Sequence, residues 1–137
     1  MNSSAPYDEI KEYINNIINI SKDPNRIKII EDRDKNYIFK YLYSLNKDKI
    51  IEILNSLKIE EFNKKVESTN NKHKGELLYI WNPVRILVNA CGEEESIKLY
   101  IKTYINEKKD CVVVISFHKY NAFDLEMRKW KSFVMNV

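Results

Sequence analysis

The clearest alternation of apolar and polar positions lies between residues 97 and 118, in two runs separated by a charged segment. In the first run, the apolar positions are Ile97, Leu99 and Ile101, and the intervening ones are Lys98, Tyr100, Lys102 and Tyr104. In the second run, one set is Cys111, Val113, Ile115 and Phe117, and the other is Val112, Val114, Ser116 and His118. Strict alternation predicts strands whose successive side chains point to opposite faces. Residues 106–110 have a suitable length for a hairpin connection, so we predict an antiparallel hairpin.

Whether odd- or even-numbered residues of the two strands pair with each other predicts which side chains of this hairpin share a face. A slip of one residue would turn a strand inside out. Both apolar sets are buried together only if even-numbered residues pair with even-numbered ones, for example Tyr100 with Ser116 or Val114. The opposite face then carries cations, a phenol and an imidazole, contributed by Lys98, Tyr100, Lys102, Ser116 and His118. Such a face suits RNA phosphodiester chemistry, and it equally suits an ordinary solvated surface.

Helical spacing dominates the first half of the chain. Apolar residues three and four apart predict a helix over Tyr7–Ser21, ended by Pro24, and another over Asp48–Lys58. We also predict a helix within Asp32–Leu45, capped by Asp34. Three further aromatic residues make the helical pattern of that segment less clear, namely Tyr37, Phe39 and Tyr43.

Shorter apolar runs predict the remaining strands. Residues 26–31 predict a strand, residues 60–68 a turn and a short edge strand, and residues 77–81 a strand ended by Asn82-Pro83. Residues 84–90 suit either another strand or a cover for a sheet edge. Because helices come first and strands later, we predict an α+β fold, with helices packed on one face of a mostly antiparallel sheet.

The length and composition favour a single folded domain over residues 1–137. An apolar fraction of 44% with 12% aromatic residues is typical of a globular protein. We expect residues 1–6 to be disordered. Residues 122–137 carry apolar side chains three to four apart and predict a C-terminal helical extension. The isolated positions of the two glycines exclude glycine-rich phosphate loops.

Charge and cysteine content narrow the function classes. The net charge of +3 permits nucleic-acid binding, but only local clustering of cations can argue for it. Cys91 and Cys111 lie in no metal-ligand pattern, so we expect no metal and no cofactor. Since no apolar stretch reaches the roughly 18 residues that span a bilayer, we expect a cytoplasmic protein without membrane contact.

Four segments together carry a resemblance to a known family. They are Glu-Glu-Phe-Asn-Lys at 60–64, Ile-Trp-Asn-Pro at 80–83, Leu-Tyr-Ile-Lys at 99–102 and Val-Val-Ile-Ser-Phe-His at 113–118. In this order, they resemble the MqsR family of bacterial toxins, the RNA-cleaving partners in toxin–antitoxin pairs. The resemblance covers about residues 47–120.

This resemblance implies a RelE-like microbial RNase fold, metal-independent cleavage of single-stranded mRNA, and neutralisation by a cognate antitoxin protein. It makes Lys64, Tyr100 and His118 the catalytic candidates. Further RNA-binding candidates are Lys98, Lys102, Ser116 and Arg85. Asn63 and Leu78 depart from the family pattern, and they favour the alternative of a non-catalytic interaction domain that binds a protein through its sheet face.

The candidate residues match the needs of metal-free RNA cleavage. The reaction requires a base for the 2′-OH, positive charge at the phosphate and a proton for the leaving 5′-oxygen. His118 has an imidazole that exchanges protons near neutral pH, and Lys64 and Lys102 supply positive charge. Tyr100 offers a hydrogen bond or a stacking surface. Each residue also has an ordinary explanation: a strand-end histidine bonded to a neighbour, solvated lysines and a tyrosine that packs in a strand.

Overall fold

The computed structural model describes residues 6–69 and 75–121, which fold into helices packed on a mixed sheet. The elements in chain order are α1 (Tyr7–Ile20), β1 (Ile27–Ile29), α2 (Asp34–Leu42), α3 (Lys47–Asn55), β2 (Phe62–Glu67), β3 (Leu77–Trp81), β4 (Val84–Val88), β5 (Glu94–Asn106) and β6 (Cys111–Lys119). Short 3₁₀ turns precede β1 and β2. The predicted α+β class is therefore confirmed.

The long strand β5 organises the sheet. The strand order is β1-β6-β5-β3-β2, and β4 pairs with β5 beside this path. Only β1 and β6 run parallel, while every other described pair is antiparallel. β2 lies at one edge, as predicted, and residues 84–88 form a strand rather than a cover for the sheet edge.

The helices cover one face of the sheet and form the main core there. α1 contributes Ile10, Ile14 and Ile17, which pack in one cluster with Trp81 and Leu99 from the sheet. Burying an aliphatic or aromatic side chain of this size contributes about 1.5–3 kcal/mol relative to leaving it exposed. In the described part of the chain, no helix has the length and apolarity needed to cross a membrane.

A polar contact lies inside this core, between α1 and the sheet. Thr103 is completely buried, and its Oγ1 lies 2.9 Å from the Tyr13 hydroxyl and 3.2 Å from the Trp81 Nε1. The indole N–H donates to Thr103, which satisfies a donor that would otherwise be buried without a partner. Desolvation raises the pKa of Tyr13 far above its ordinary value, so the phenol stays protonated.

A bulge in the β5–β6 hairpin changes the predicted pairing. Even-numbered residues do pair near the strand end, where Tyr100 faces His118 and Lys102 faces Ser116. Beyond that point Thr103 faces Val114, so Ile115 is an extra residue and the parity of β6 reverses.

The reversal decides which residues of β6 enter the core. Val112, Val114 and Phe117 belong to the core cluster, whereas Val113 and Ile115 are only partly buried. The predicted core set that included Val113 and Ile115 was therefore wrong for these two positions. Strict alternation fails here because the one inserted residue moves every side chain that precedes it in β6 to the opposite face of the sheet.

The helix boundaries differ slightly from the sequence prediction. Asp34 is the first helical residue of α2, and Arg33 occupies the cap position before it. Asn46 caps α3 by accepting a hydrogen bond from the Lys49 N–H. The predictions for residues 1–5 and for the C-terminal helix over 122–137 lie outside the described residues.

The Tyr13–Thr103–Trp81 contact predicts a large effect of a nearly isosteric change. Thr103→Val should destabilise the protein by about 1–3 kcal/mol, because it leaves the buried Trp81 N–H without its acceptor and the buried Tyr13 hydroxyl without its hydrogen-bond partner. Urea denaturation monitored by circular dichroism measures this loss. Thr103→Ser keeps the hydroxyl and is the matched control, which should unfold at a higher urea concentration than Thr103→Val. Equal stability of the two variants would contradict the assigned role of the hydroxyl.

Candidate functional site

The sheet face opposite the helices carries a row of candidate residues. Lys64 of β2 pairs with Ile80 of β3, Ile80 pairs with Lys102 of β5, and Lys102 pairs with Ser116 of β6. Paired residues of neighbouring strands share a face. The row therefore places Lys64 and Lys102 on the same side of the sheet, with only β3 between their strands, although 37 residues separate them in sequence.

A second bulge allows Lys64 to join this face. Phe62 pairs with Trp81 and Lys64 with Ile80, so Asn63 is an extra residue in β2. Phe62 consequently packs against Trp81 on the helix side, with ring centroids 5.4 Å apart, while Lys64 lies on the opposite side. Asn63 departs from the family pattern, and it occupies the bulge, where its Nδ2 donates to Asn82 Oδ1.

Tyr100 and His118 form the next pair beside this row. Their rings stack with centroids 5.2 Å apart and an interplanar angle of 11°. The Lys102 Nζ lies 5.9 Å from the centre of the Tyr100 ring, within the range of a cation–π contact. The three residues therefore form one contiguous group, as the sequence predicted for this face.

Arg33 joins the same group, although no sequence pattern indicated it. Its Nη1 donates to Ser116 Oγ over 3.2 Å, and its charge acts on Tyr100, Lys102 and His118. Arg33 reaches the site because β1 pairs in parallel with β6, which brings the start of α2 to the sheet. A parallel partner distant in sequence leaves no local signal that periodicity can detect.

Asn36 fixes the start of α2 against β6. Its Nδ2 donates to the carbonyl groups of Ile30 and Ile115, and its Oδ1 accepts from the Phe117 N–H. These three hydrogen bonds tie α2 to both neighbouring strands and to the bulge. They hold the backbone that carries Arg33 beside Ser116.

The group is strongly cationic. Within residues 6–69 and 75–121, no carboxylate forms an ion pair with Arg33, Lys64 or Lys102. Burial lowers the pKa of Lys102, and the neighbouring charges of Arg33 and Lys64 lower it further. Cations that repel one another favour the binding of an anion, because the anion relieves their mutual repulsion.

The same environment keeps His118 neutral. Burial lowers the pKa of His118 below 6.5, and Lys35, Arg33 and Lys102 add to this, although a hydrogen bond to the Lys119 carbonyl opposes it. That bond joins His118 Nδ1 to the carbonyl oxygen over 2.9 Å. A carbonyl only accepts, so Nδ1 carries the hydrogen and the neutral ring has its free lone pair on Nε2.

The accessibility of the group is uneven. Arg33, Lys64 and Lys98 are exposed, and Tyr100 and Lys102 are partly buried. His118 is only 8% exposed and Ser116 only 2%, so these two are not the open surface residues that the sequence suggested. Ser116 is thus a buried support for Arg33 rather than a direct RNA contact.

Lys98 extends the cationic face along β5. Its Nζ lies 4.1 Å from the centre of the Tyr120 ring, within the range of a cation–π contact. Burial raises the pKa of Tyr100, Arg33 lowers it, and the net direction is upward. The phenol is therefore protonated at neutral pH.

Arg85 does not belong to the site, which corrects its prediction as an RNA contact. It pairs with Ile97, whose side chain is in the core, so Arg85 lies on the helix side of the sheet. Its guanidinium group donates to both carboxylate oxygens of Glu61 over 2.6 and 2.9 Å and to the carbonyl of Ser56. This bidentate pair ties β4 to the segment before β2.

Comparisons with known proteins provide no further assignment. No family model matches the chain, and no curated protein or solved structure is significantly similar to it. In the described ranges, no group of three or more His, Cys, Asp or Glu side chains is arranged to hold a metal ion. The resemblance to the MqsR family therefore rests on the sequence segments alone.

The position of Arg85 predicts a loss of stability when it is removed. Arg85→Ala should lower the free energy of unfolding near neutral pH by about 1–3 kcal/mol, because Glu61 is left partly buried without its partner. Denaturant unfolding at several pH values measures the effect. Lys49→Ala removes an exposed cation of an i,i+3 pair and is the control, with an expected change within about 0.5 kcal/mol.

The pH dependence of this loss has a definite sign. Burial raises the pKa of Glu61 and the Arg85 hydrogen bonds lower it, with a net shift below the ordinary value of 4.5. The pair therefore stabilises the fold above pH 4.5, and this contribution disappears as the pH falls through the folded-state pKa. The difference between wild type and Arg85→Ala should shrink in that acidic range. A difference that stays constant from pH 7 to pH 3 would contradict the assignment.

Proposed function

We propose that this protein is the toxin component of a toxin–antitoxin system, a metal-independent endoribonuclease that cleaves single-stranded mRNA. The observation that carries the proposal is the juxtaposition of His118 and Tyr100 with three cations, Arg33, Lys64 and Lys102, that have no carboxylate partner among residues 6–69 and 75–121. The resemblance to the MqsR family and its RelE-like RNase fold is consistent with this group.

His118 is the proposed general base. The Lys119 carbonyl fixes the tautomer that leaves the Nε2 lone pair free, and the lowered pKa of the ring keeps that lone pair available at neutral pH. Nε2 takes the proton of a ribose 2′-OH, and the 2′-oxygen attacks the adjacent phosphorus. Tyr100 stacks on the imidazole and holds the plane of the ring, so its main role is to orient the base.

The cations act on the phosphate and on the leaving group. Arg33 and Lys64 flank Lys102 on two sides and stabilise the charge that develops on the phosphoryl oxygens. Lys102 is the proposed general acid, since a lowered pKa makes its ammonium group a better proton donor to the leaving oxygen. It protonates the 5′-oxygen as the P–O bond breaks. The products are a 2′,3′-cyclic phosphate and a free 5′-hydroxyl.

The same charges define the partners. The exposed ammonium group of Lys98 extends the positive face along β5 and suits the next phosphate of a single strand. A cognate antitoxin that neutralises this protein is expected to present carboxylates to Arg33 and Lys102. Such carboxylates would compete directly with the RNA backbone for the same cations.

One observation favours a second candidate function, a non-catalytic interaction domain. His118 is only 8% exposed, so a substrate must reach an imidazole that is nearly covered. A domain that merely binds an acidic protein through Arg33, Lys64 and Lys98 would need no access to His118. The two functions share the cationic face and differ in whether the imidazole takes part.

The cleavage proposal predicts a defined reaction in the presence of EDTA. The purified protein should cut single-stranded RNA and leave 2′,3′-cyclic phosphate and 5′-hydroxyl ends, which end-group analysis by mass spectrometry detects. His118→Asn preserves a donor for the Lys119 carbonyl and removes the base, so kcat should fall by about 10²–10⁴-fold. A folded protein that leaves varied RNAs intact would exclude the nuclease and favour the interaction domain.

A charge series separates site cations from general surface charge. Lys64→Met and Arg33→Gln should each reduce kcat/KM by at least about tenfold, because each removes positive charge from the phosphate site. Lys11→Met removes an exposed lysine of α1, on the other side of the sheet, and is the matched control. If Lys11→Met and Lys64→Met have equal effects, the face contributes only non-specific attraction.

The pH profile of cleavage tests the assignment of base and acid. The rate should rise with pH through a pKa below 6.5, because His118 must be neutral and its pKa is lowered. It should fall again through a pKa below 10.5, since Lys102 must keep its proton and its pKa is also lowered. The acidic limb should vanish in His118→Asn. An acidic limb that persists in this variant would show that another group acts as the base.

A further inference from the structure

Strand β4 presents an exposed apolar stripe, and among residues 6–69 and 75–121 it pairs with β5 alone, so that its other edge is open there. Val84, Ile86 and Val88 are 53%, 57% and 50% exposed. Natural edge strands are usually protected by lysine, proline or a bulge. The stripe of β4 has no such protection, because its three outward residues are all aliphatic and β-branched, the types that pair best in sheets.

The backbone of β4 is free at the centre of this edge, at Ile86, while the Val84 carbonyl accepts from the Arg85 Nη1 over 2.8 Å. The Leu99 N–H donates to the Pro83 carbonyl, and the Asn89 N–H donates to the Glu93 carbonyl. In an antiparallel pair, only every second residue of a strand forms backbone hydrogen bonds with the neighbouring strand. Arg85 and Leu87 therefore bond to β5, whereas the N–H and C=O groups of Ile86 point away from β5. Within residues 6–69 and 75–121, the backbone of Ile86 has no hydrogen-bond partner.

The other side chains hold β4 in place. Leu87 is buried in the core, and Arg85 is fixed by Glu61 and Ser56. A rigid strand loses little conformational entropy when it pairs with another strand, which favours association. The edge is therefore a pre-formed surface for β-strand addition.

We propose that β4 pairs with β4 of a second copy of this chain, antiparallel about a two-fold axis at Ile86. The stripe reads the same in both directions, with valine two residues before and two residues after the isoleucine. A two-fold axis therefore places Ile86 beside its equivalent and each Val84 beside the partner's Val88. A closed pair of this kind is the commonest symmetry of homo-oligomers.

The flanking charges of β5 fit this arrangement. Lys98 lies beside Val84, Ser96 beside Ile86 and Glu94 beside Val88 on the same face. The antiparallel dimer would join β5 and β4 of one copy to β4 and β5 of the other. Each outer row of side chains across these four strands would then have Lys98 at one end and the partner's Glu94 at the other. A parallel arrangement would instead repeat the same charge at both ends of a row. The charges thus favour the self-pairing that the stripe also favours.

The mass of the protein in solution tests this proposal without reference to RNA cleavage. Light scattering after size exclusion should give about twice the chain mass of 16.4 kDa at micromolar concentrations and above. Ile86→Lys places two like charges at the axis and should shift the mass to that of one chain. Leu77→Lys changes an exposed aliphatic residue of β3 and is the matched control, which should remain a dimer.

Covalent capture tests the register. Antiparallel pairing at Ile86 sets the two Cα atoms about 5.5 Å apart, within the range that a disulfide spans. In a Cys91→Ser background, which removes the exposed native thiol, Ile86→Cys should form a disulfide-linked dimer at least tenfold faster than Leu77→Cys.

Three outcomes would overturn the proposal. They are a wild-type protein of single-chain mass across the concentration range, a dimer that Ile86→Lys leaves intact, and equal rates of capture for Ile86→Cys and Leu77→Cys. The first outcome would leave the stripe as a surface for a different protein. Circular dichroism of each variant verifies that the fold survives the substitution.

Discussion

The bulge at Ile115 is the constraint on which the rest of this structure depends. Without an extra residue in β6, Val114 and Ser116 would lie on the same face of the sheet, because side chains alternate strictly along a strand. The bulge allows Val114 and Phe117 to enter the core while Ser116 and His118 stay on the opposite face. It thus reconciles a continuous apolar core with a polar group at the end of the same strand.

Asn36 connects this bulge to the rest of the fold. The carbonyl of Ile115 accepts a hydrogen bond from Asn36 Nδ2, and the N–H of Phe117 donates one to Asn36 Oδ1. A bulge interrupts the ladder and leaves backbone groups in need of partners. Here the buried amide supplies them, and it docks α2 so that Arg33 reaches Ser116. The hydrogen bonds that repair the bulge therefore also complete the cationic group.

The cationic group has an energetic consequence for any ligand. Arg33, Lys64 and Lys102 repel one another, and the partial burial of Lys102 adds a desolvation cost. The sheet and the docked start of α2 fix the backbone positions of these residues, which limits how far their charges can separate. An anion that binds among them gains more than it would from isolated surface lysines. The proposed nuclease and the proposed interaction domain both use this gain, and they differ only in the role of His118.

The sequence alone determined the local pattern. The alternation over 97–104 predicts β5 correctly, and helical spacing predicts α1 and α3, because these signals depend only on neighbours along the chain. The resemblance also directs attention to Lys64, Tyr100 and His118, which the sheet does bring to one face. Tertiary structure decided the rest. The bulges, the parallel pairing of β1 with β6, the recruitment of Arg33 and the diversion of Arg85 to Glu61 arise from contacts between distant segments, and no periodicity within a segment encodes them.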